Sequence, residues 1–567
     1  MTDPAPTDPA PRRRPLFWLI LALLWFAPLN SPHLFEPDEG RYAEIPREMV
    51  VSGDWITPRL NAIKYFEKPV LQYWSTAVAY QLFGPHAWSA RLWPALCGFL
   101  GLLLTFWLAR ALYDERTAML AVLIQSSALL YLGLARIATV DMSLSFGLQL
   151  CLSALALLAQ QRDAARGASA VTRPTAVRPW LSPRQLSMLL GIGMAVAVLS
   201  KGLVGILIPA AVAGLYMLWR WDWRLPLRAR PWWSLLVLIV LAAPWFLAVS
   251  ARNPEFAHFF FIVQHFQRYL SSASFDRYQP AWFFIPVLLL GFLPWTTLLP
   301  GALLQGWRDA RTGAHGAALL LVWTVFVFAF FSVSQSKLIP YILPLLPSLA
   351  LLAARRAAVL SATDFARHFA LLALAAGSVG ALLLLLWRLP AAAELVESAS
   401  DFSIAALVAG FLALALAAAV GAWFARRLQP LDAATAGALG AWLLALCLLQ
   451  AADRLPRMHT LVELEQRAQP WLGNSTRFYC VNDYLQPLPF YWRRPCTLVG
   501  YRGELDFGLK QEPWRWIPDL QQFARAWAAE ADALAILRPE DYRRLAALGL
   551  PMHVIYTSQS LIAVVRR

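Results

Sequence analysis

Apolar runs near bilayer length recur along this chain from Leu16 to Leu449, and a soluble domain has no way to bury so many of them. We read about thirteen such spans from length and hydropathy. They fall near Leu16–Leu29, Trp88–Leu112, Thr117–Leu134, Met142–Gln160, Leu186–Leu199, Leu203–Trp219 and Trp232–Val249. The others fall near Trp282–Leu299, Ala317–Phe331, Leu338–Ala354, Phe369–Trp387, Phe402–Phe424 and Thr435–Leu449. A chain of 567 residues that is 59% hydrophobic and only 15% charged, with mean hydropathy +0.51, agrees with a mainly α polytopic membrane protein.

The net charge of +15 suggests a nucleic-acid partner until the arginines are located. With the N-terminus inside, every inside loop is basic: Arg12 to Arg14, Arg110 and Arg116, Arg162 to Arg184, Arg220 to Arg230, Arg308 and Arg311, Arg355 to Arg367, and Arg426 with Arg427. The intervening loop holding Glu394, Glu397 and Asp401 is acidic. The positive-inside rule therefore orients the chain, and the excess charge is topology rather than a nucleic-acid footprint. Residues 1–15 are Pro-rich, end in arginines and carry no cleavage signature, so they read as a cytoplasmic tail before an uncleaved first helix. The Ala-, Arg- and Pro-rich loop Gln161 to Arg184 reads as flexible.

That alternation sends the unusual charges to one outer face. The outer loop 30–87 contains Phe35 to Trp74, with Glu36, Asp38, Glu39, Arg41, Glu44, Arg47 and Glu48 at its start and Lys64, Tyr65, Glu67 and Lys68 beyond. Each unpaired charge costs roughly 3 kcal/mol at the centre of a bilayer, so this stretch lies at the surface or lines a wet cavity. A surface-lying amphipathic helix accounts for most of these charges. Asp38 and Lys68, in compact clusters without a simple helical period, read instead as a site. Asp141, Lys201, Arg268 and Lys337 also lie at outer span ends.

After the membrane region 16–452, residues 453–567 change composition and read as a small outer α/β domain, with strands near Arg477–Val481 and His553–Tyr556 and helices near Asp519–Ala533 and Pro539–Leu548. Its Cys480 and Cys496 form a disulfide in an oxidising compartment or remain two buried thiols. Cys97, Cys151 and Cys447 fall inside apolar spans, and no CxxC ligand spacing is present.

Two carboxylates and several cations on one face suit a specific chemistry. Asp38 and Asp141 serve as helix caps or, together, stabilise positive charge at an anomeric carbon. Lys68, Lys201, Lys337 and Arg268 snorkel to headgroups or, together, hold a phosphate that gains negative charge as a glycosidic bond breaks. No Gly-rich nucleotide fingerprint follows a strand.

The runs EPDEGRYAEIPREM, GDWITPRLN and KYFEKPVLQYW, then RIATVDMSL, SKGLVG, VQHFQRYL and KLIPYILPLLPSLALL, resemble in order the bacterial lipid A aminoarabinose transferases of the GT-C superfamily, which includes the protein O-mannosyltransferases. The resemblance covers most of the membrane region. It implies a periplasmic outer loop with juxtamembrane helices, a periplasmic C-terminal domain, and an inner-membrane enzyme giving polymyxin resistance. Such an enzyme moves 4-amino-4-deoxy-L-arabinose from undecaprenyl phosphate to a lipid A phosphate, with membrane lipids as its surroundings. It carries the catalytic carboxylate over to Asp38, a second acid to Asp141, and the donor-phosphate lysine to Lys68. Arg41, Tyr42, Tyr65 and Glu67 line the same cavity, with Lys201, Arg268 and Lys337 nearby for substrate. If a divalent ion is bound, Glu67 and His265 are its candidate ligands; an interfacial role explains His265 equally.

Three rivals remain. A related GT-C enzyme with another polyprenyl-linked sugar and a protein or glycan acceptor fits the same loop motifs. A transporter or flippase calls for mid-membrane charges, broken helices and repeat halves. A structural protein leaves the converging charges without purpose.

Overall fold

The computed structural model describes residues 13–165, 181–267, 278–388, 401–453 and 456–566. Residues 1–12 of the expected tail, residues 166–180 of the inside loop, Arg268, Glu394 and Glu397 lie outside them, as does the side chain of His265. Among the described residues nine helices are long and apolar enough to cross a membrane, and ten if one bent pair counts as a span. The expected thirteen is therefore not reached by that measure, and the shortfall has local causes. The first helix, α1 (Arg13–Phe26), runs on through Asn30, and this apolar stretch is short, as is Val204–Arg220. Ala281–Gly291 and Thr296–Arg311 meet at 116° where Pro294, which has no N–H to donate, interrupts the helix.

The loop between the first two spans is folded and covered. It forms α2 (Asp38–Ser52), a two-stranded hairpin of β1 (Arg59–Leu60) and β2 (Ile63–Lys64), and α3 (Leu71–Phe83) before the long span α4 (Ala87–Leu112). Asp38 and Glu39 occupy the first turn of α2, where carboxylates meet the positive helix end. Gly53 closes that helix in the left-handed region (φ 72°), donating to the Met49 carbonyl at 3.0 Å.

The expected surface-lying character of this helix is corrected here. Glu39, Arg41, Glu44 and Arg47 are all buried, and the charges do follow a helical period, pairing Asp38 with Arg41 and Glu44 with Arg47 at i,i+3. The C-terminal domain supplies the cover: a Cβ on Gly40 would lie 2.4 Å from the Pro487 nitrogen.

Next come α5 (Glu115–Ser127) and α6 (Leu129–Leu134), an interrupted pair in place of one continuous span. Thr117, Gln125, Ser126 and Ser127 on α5 are buried, and such polar content suits a helix enclosed by protein rather than lipid. The next helix, α7 (Asp141–Ala165), is central: 83% of its apolar window is buried, against 28% for Pro231–Arg252 and 22% for Ala362–Arg388, which present their apolar faces outward. It packs against α8 (Pro183–Lys201) through glycines, since a Cβ on Gly147 would lie 2.8 Å from the Gly193 carbonyl oxygen. That approach is what small residues permit between membrane helices. It brings the start of α7 beside the end of α8, and so Asp141 beside Lys201.

The C-terminal domain is built on a six-stranded sheet of order β5-β4-β3-β6-β8-β7. Its strands are β3 (Arg477–Val481), β4 (Thr497–Val499), β5 (Trp516–Ile517), β6 (Ala533–Leu537), β7 (His553–Thr557) and β8 (Ile562–Arg566). The first four pair in parallel, and β8 runs antiparallel to β6 and β7. Every residue of β6 is buried, as a central strand covered on both faces requires. The expected helix to Ala533 ends instead at Ala529, because Ala533 starts β6. Cys480 and Cys496 are two free buried thiols.

Candidate active site

Arg41 is the hub. One turn into α2, its guanidinium donates to Asp38 at 3.0 Å and to the Tyr65 hydroxyl at 2.8 Å, and it lies 3.5 Å from Glu504 of the C-terminal domain. Burial opposes its charge, but Tyr65, Glu504 and Asp38 outweigh that and hold it protonated well above its ordinary range. Tyr42 follows, stacked on Tyr73 at 6.0 Å. Burial pushes the Tyr42 phenol well up, and Tyr73, Asp38 and Asp141 push the same way. Asp38 at the start of α2 and Asp141 at the start of α7 therefore both lie within electrostatic reach of one buried ring.

The same logic brings in the second half of the loop. Burial raises the Tyr65 and Tyr73 phenols, and Glu67 adds to both shifts. The Lys68 ammonium donates to the Glu67 carbonyl at 3.1 Å and lies 4.0 Å from its carboxylate. Asp141 and Lys201 form an ion pair, with the Lys201 nitrogen 4.5 Å above the Tyr341 ring. Direct contacts thus tie Asp38, Arg41 and Tyr65 together, Glu67 to Lys68 and Asp141 to Lys201, while the carboxylates of Asp38, Glu67 and Asp141 act electrostatically on the Tyr42, Tyr65 and Tyr73 phenols. Lys337 donates to the carbonyls of Gln279 (2.7 Å) and Ser334. Arg268 lies outside the described residues.

No three His, Cys, Asp or Glu side chains converge as metal ligands among the described residues. The side chain of His265, the other expected ligand beside Glu67, lies outside the described residues.

Glu39, Arg91 and Glu504 join these residues through ion pairs. Glu39 is fully buried and pairs with Arg91, with contacts of 2.8 and 2.7 Å. Its Oε1 also accepts the Ala138 N–H at 2.7 Å, and its Oε2 the Phe35 N–H at 2.9 Å. One carboxylate thereby ties the residue after Asp38 to the turn before Asp141. Arg91 lay in view as a cation inside the apolar run Trp88–Leu112, an expensive placement that signals a buried partner. Glu504 offers no such signal, since nothing near it in the chain points to the membrane region.

Comparison with known proteins places the chain. Residues 12–260 match the family of dolichyl-phosphate-mannose-protein mannosyltransferases, and residues 464–566 the aminoarabinose transferase C-terminal domain. The undecaprenyl phosphate-alpha-4-amino-4-deoxy-L-arabinose arabinosyl transferase of Erwinia tasmaniensis is 33% identical, over 91% of this chain and 90% of that protein. The chain belongs to the lipid A aminoarabinose transferase family. A Pseudomonas aeruginosa transferase of the same name is 32% identical over 92% of each chain. The crystal structure of the family member ArnT from Cupriavidus metallidurans bound to undecaprenyl phosphate superposes with a TM-score of 0.87, covering 98% of each chain at 32% identity. Membership in this GT-C family makes the chain a multi-span membrane protein and a polyprenyl-phosphate-sugar-dependent glycosyltransferase.

Proposed function

We propose that this chain moves 4-amino-4-deoxy-L-arabinose from undecaprenyl phosphate to a phosphate of lipid A at the periplasmic face of the bacterial inner membrane. The observation that carries the reading is the end-to-end match to transferases of that name, with the Asp38 and Asp141 carboxylates both acting on one buried phenol. An acceptor phosphate oxygen attacks the anomeric carbon, and the bond from that carbon to the undecaprenyl phosphate oxygen breaks, its electron pair leaving with the phosphate. The acceptor is already anionic at neutral pH, so no strong general base is needed. Asp38 faces the sugar and stabilises its oxocarbenium character, assisted by Asp141, with Arg41 holding Asp38 in place. Lys68 meets the leaving phosphate, where added negative charge makes its attraction strongest in the transition state. A divalent ion on Glu67 and His265 is a separate proposal.

The test is mass spectrometry of lipid A from a polymyxin-challenged strain with and without this chain. An aminoarabinose increment that requires the chain supports the reading, and Asp38→Ala should abolish it while the protein still inserts. Transfer at the normal rate by the Asp38→Ala protein removes Asp38 from the mechanism. Chelation in the same assay, with recovery on adding Mn²⁺, decides the ion.

A further inference from the structure

Among the described residues the charges beside Arg41 do not balance evenly. Asp141 pairs with Lys201, and Lys68 lies beside Glu67. Arg41 instead stands between two acids, Asp38 and Glu504, so that trio carries a formal charge of −1. The two acids are held differently. The Asp38 side chain is 56% exposed, whereas that of Glu504 is 19% exposed and receives the Tyr501 hydroxyl at 3.0 Å and the Gln486 amide. Glu504 is thus fixed by its own domain, already oriented at the edge of the site before any ligand arrives.

A partly buried node with one more acid than cation attracts a cation, and the attraction strengthens where solvent is sparse. An amine-bearing sugar supplies that cation; a sugar with hydroxyls alone does not. We infer that Glu504, together with Asp38, recognises the ammonium of the donor sugar, so that the C-terminal domain selects an amino pentose over a neutral one. This inference rests on the proposed function. It also assigns the C-terminal domain a part in substrate choice, carried by the carboxylate it extends to Arg41.

The experiment compares two synthetic polyprenyl-phosphate donors, one with the 4-amino pentose and one with a hydroxyl at the same carbon, in the full-length enzyme with purified lipid A. The readout is the ratio of kcat/KM between donors within each protein, which does not depend on the fraction of active enzyme. Glu504→Gln should lower kcat/KM for the amino donor about 10- to 100-fold, the range for losing a charged hydrogen bond, mainly through KM. The neutral donor should change little, and Glu504→Asp should keep most of the preference. Tyr501→Phe, which frees one Glu504 oxygen, should lower the ratio by a smaller factor and serves if the Gln variant does not fold. An unchanged donor ratio in these variants overturns the inference and leaves Glu504 an anchor for Arg41. A wild-type enzyme that turns over neither donor overturns the proposed function instead.

Discussion

Arg91→Met tests how the two carboxylate-bearing helices are held in register. Arg91 is 1% exposed and Glu39 fully buried; besides Glu39, Arg91 donates to the carbonyls of Leu29, Pro32 and His33 at 3.1, 2.7 and 3.2 Å. Methionine fills much of the volume but leaves the Glu39 carboxylate buried without its cation, which costs about 3–5 kcal/mol. Against a total stability of about 5–15 kcal/mol that is a large loss. Catalysis should fall further than stability implies, because Glu39 also accepts from Ala138 and so ties the Asp38 turn to the Asp141 turn. A displacement of about 1 Å at a reacting group is enough for a loss on the order of 100-fold. Unfolding in mixed micelles followed by tryptophan fluorescence gives the stability, and single-turnover transfer the chemistry. Combining Glu39→Gln with Arg91→Met removes the stranded charge and should recover more than half of the stability. A single variant costing under about 1 kcal/mol, the scale of an exposed pair, refutes the reasoning, as does a double variant no more stable than Arg91→Met.

Gly40→Ala should force α2 away from the C-terminal domain, since the new Cβ would sit 2.4 Å from the Pro487 nitrogen and 2.6 Å from the Gln486 carbonyl carbon, both backbone. Faster proteolytic release of the C-terminal domain and lost transfer are expected; a wild-type cleavage rate refutes the contact. Glu48 carries a pH signature: burial, and then Glu44 beside it, push its carboxyl well up. The folded state therefore holds a proton that the unfolded chain releases near its ordinary value of about 4.3, so this contribution is complete below that pH and declines as pH rises toward the folded pKa. Unfolding midpoints at pH 5.5 and pH 8 should differ less for Glu48→Gln than for wild type, and an equal difference in both excludes Glu48 as the source.

The chain's class, its outer loop and most members of the charged cluster were legible in the sequence, because hydropathy, loop charge and cluster composition are local properties. Those same properties suggested an exposed helix over Asp38–Ser52, since nothing local announces that a domain encoded far downstream will cover it. Only packing decided which charges meet: Asp141 with Lys201 through a close glycine contact, Glu39 with Arg91 across two helices, and Arg41 with Glu504 across two domains. An amino-acid sequence states where chain segments prefer water or lipid. Which ion pairs with which depends on distances of a few ångströms between remote segments, and these exist only once the segments are packed.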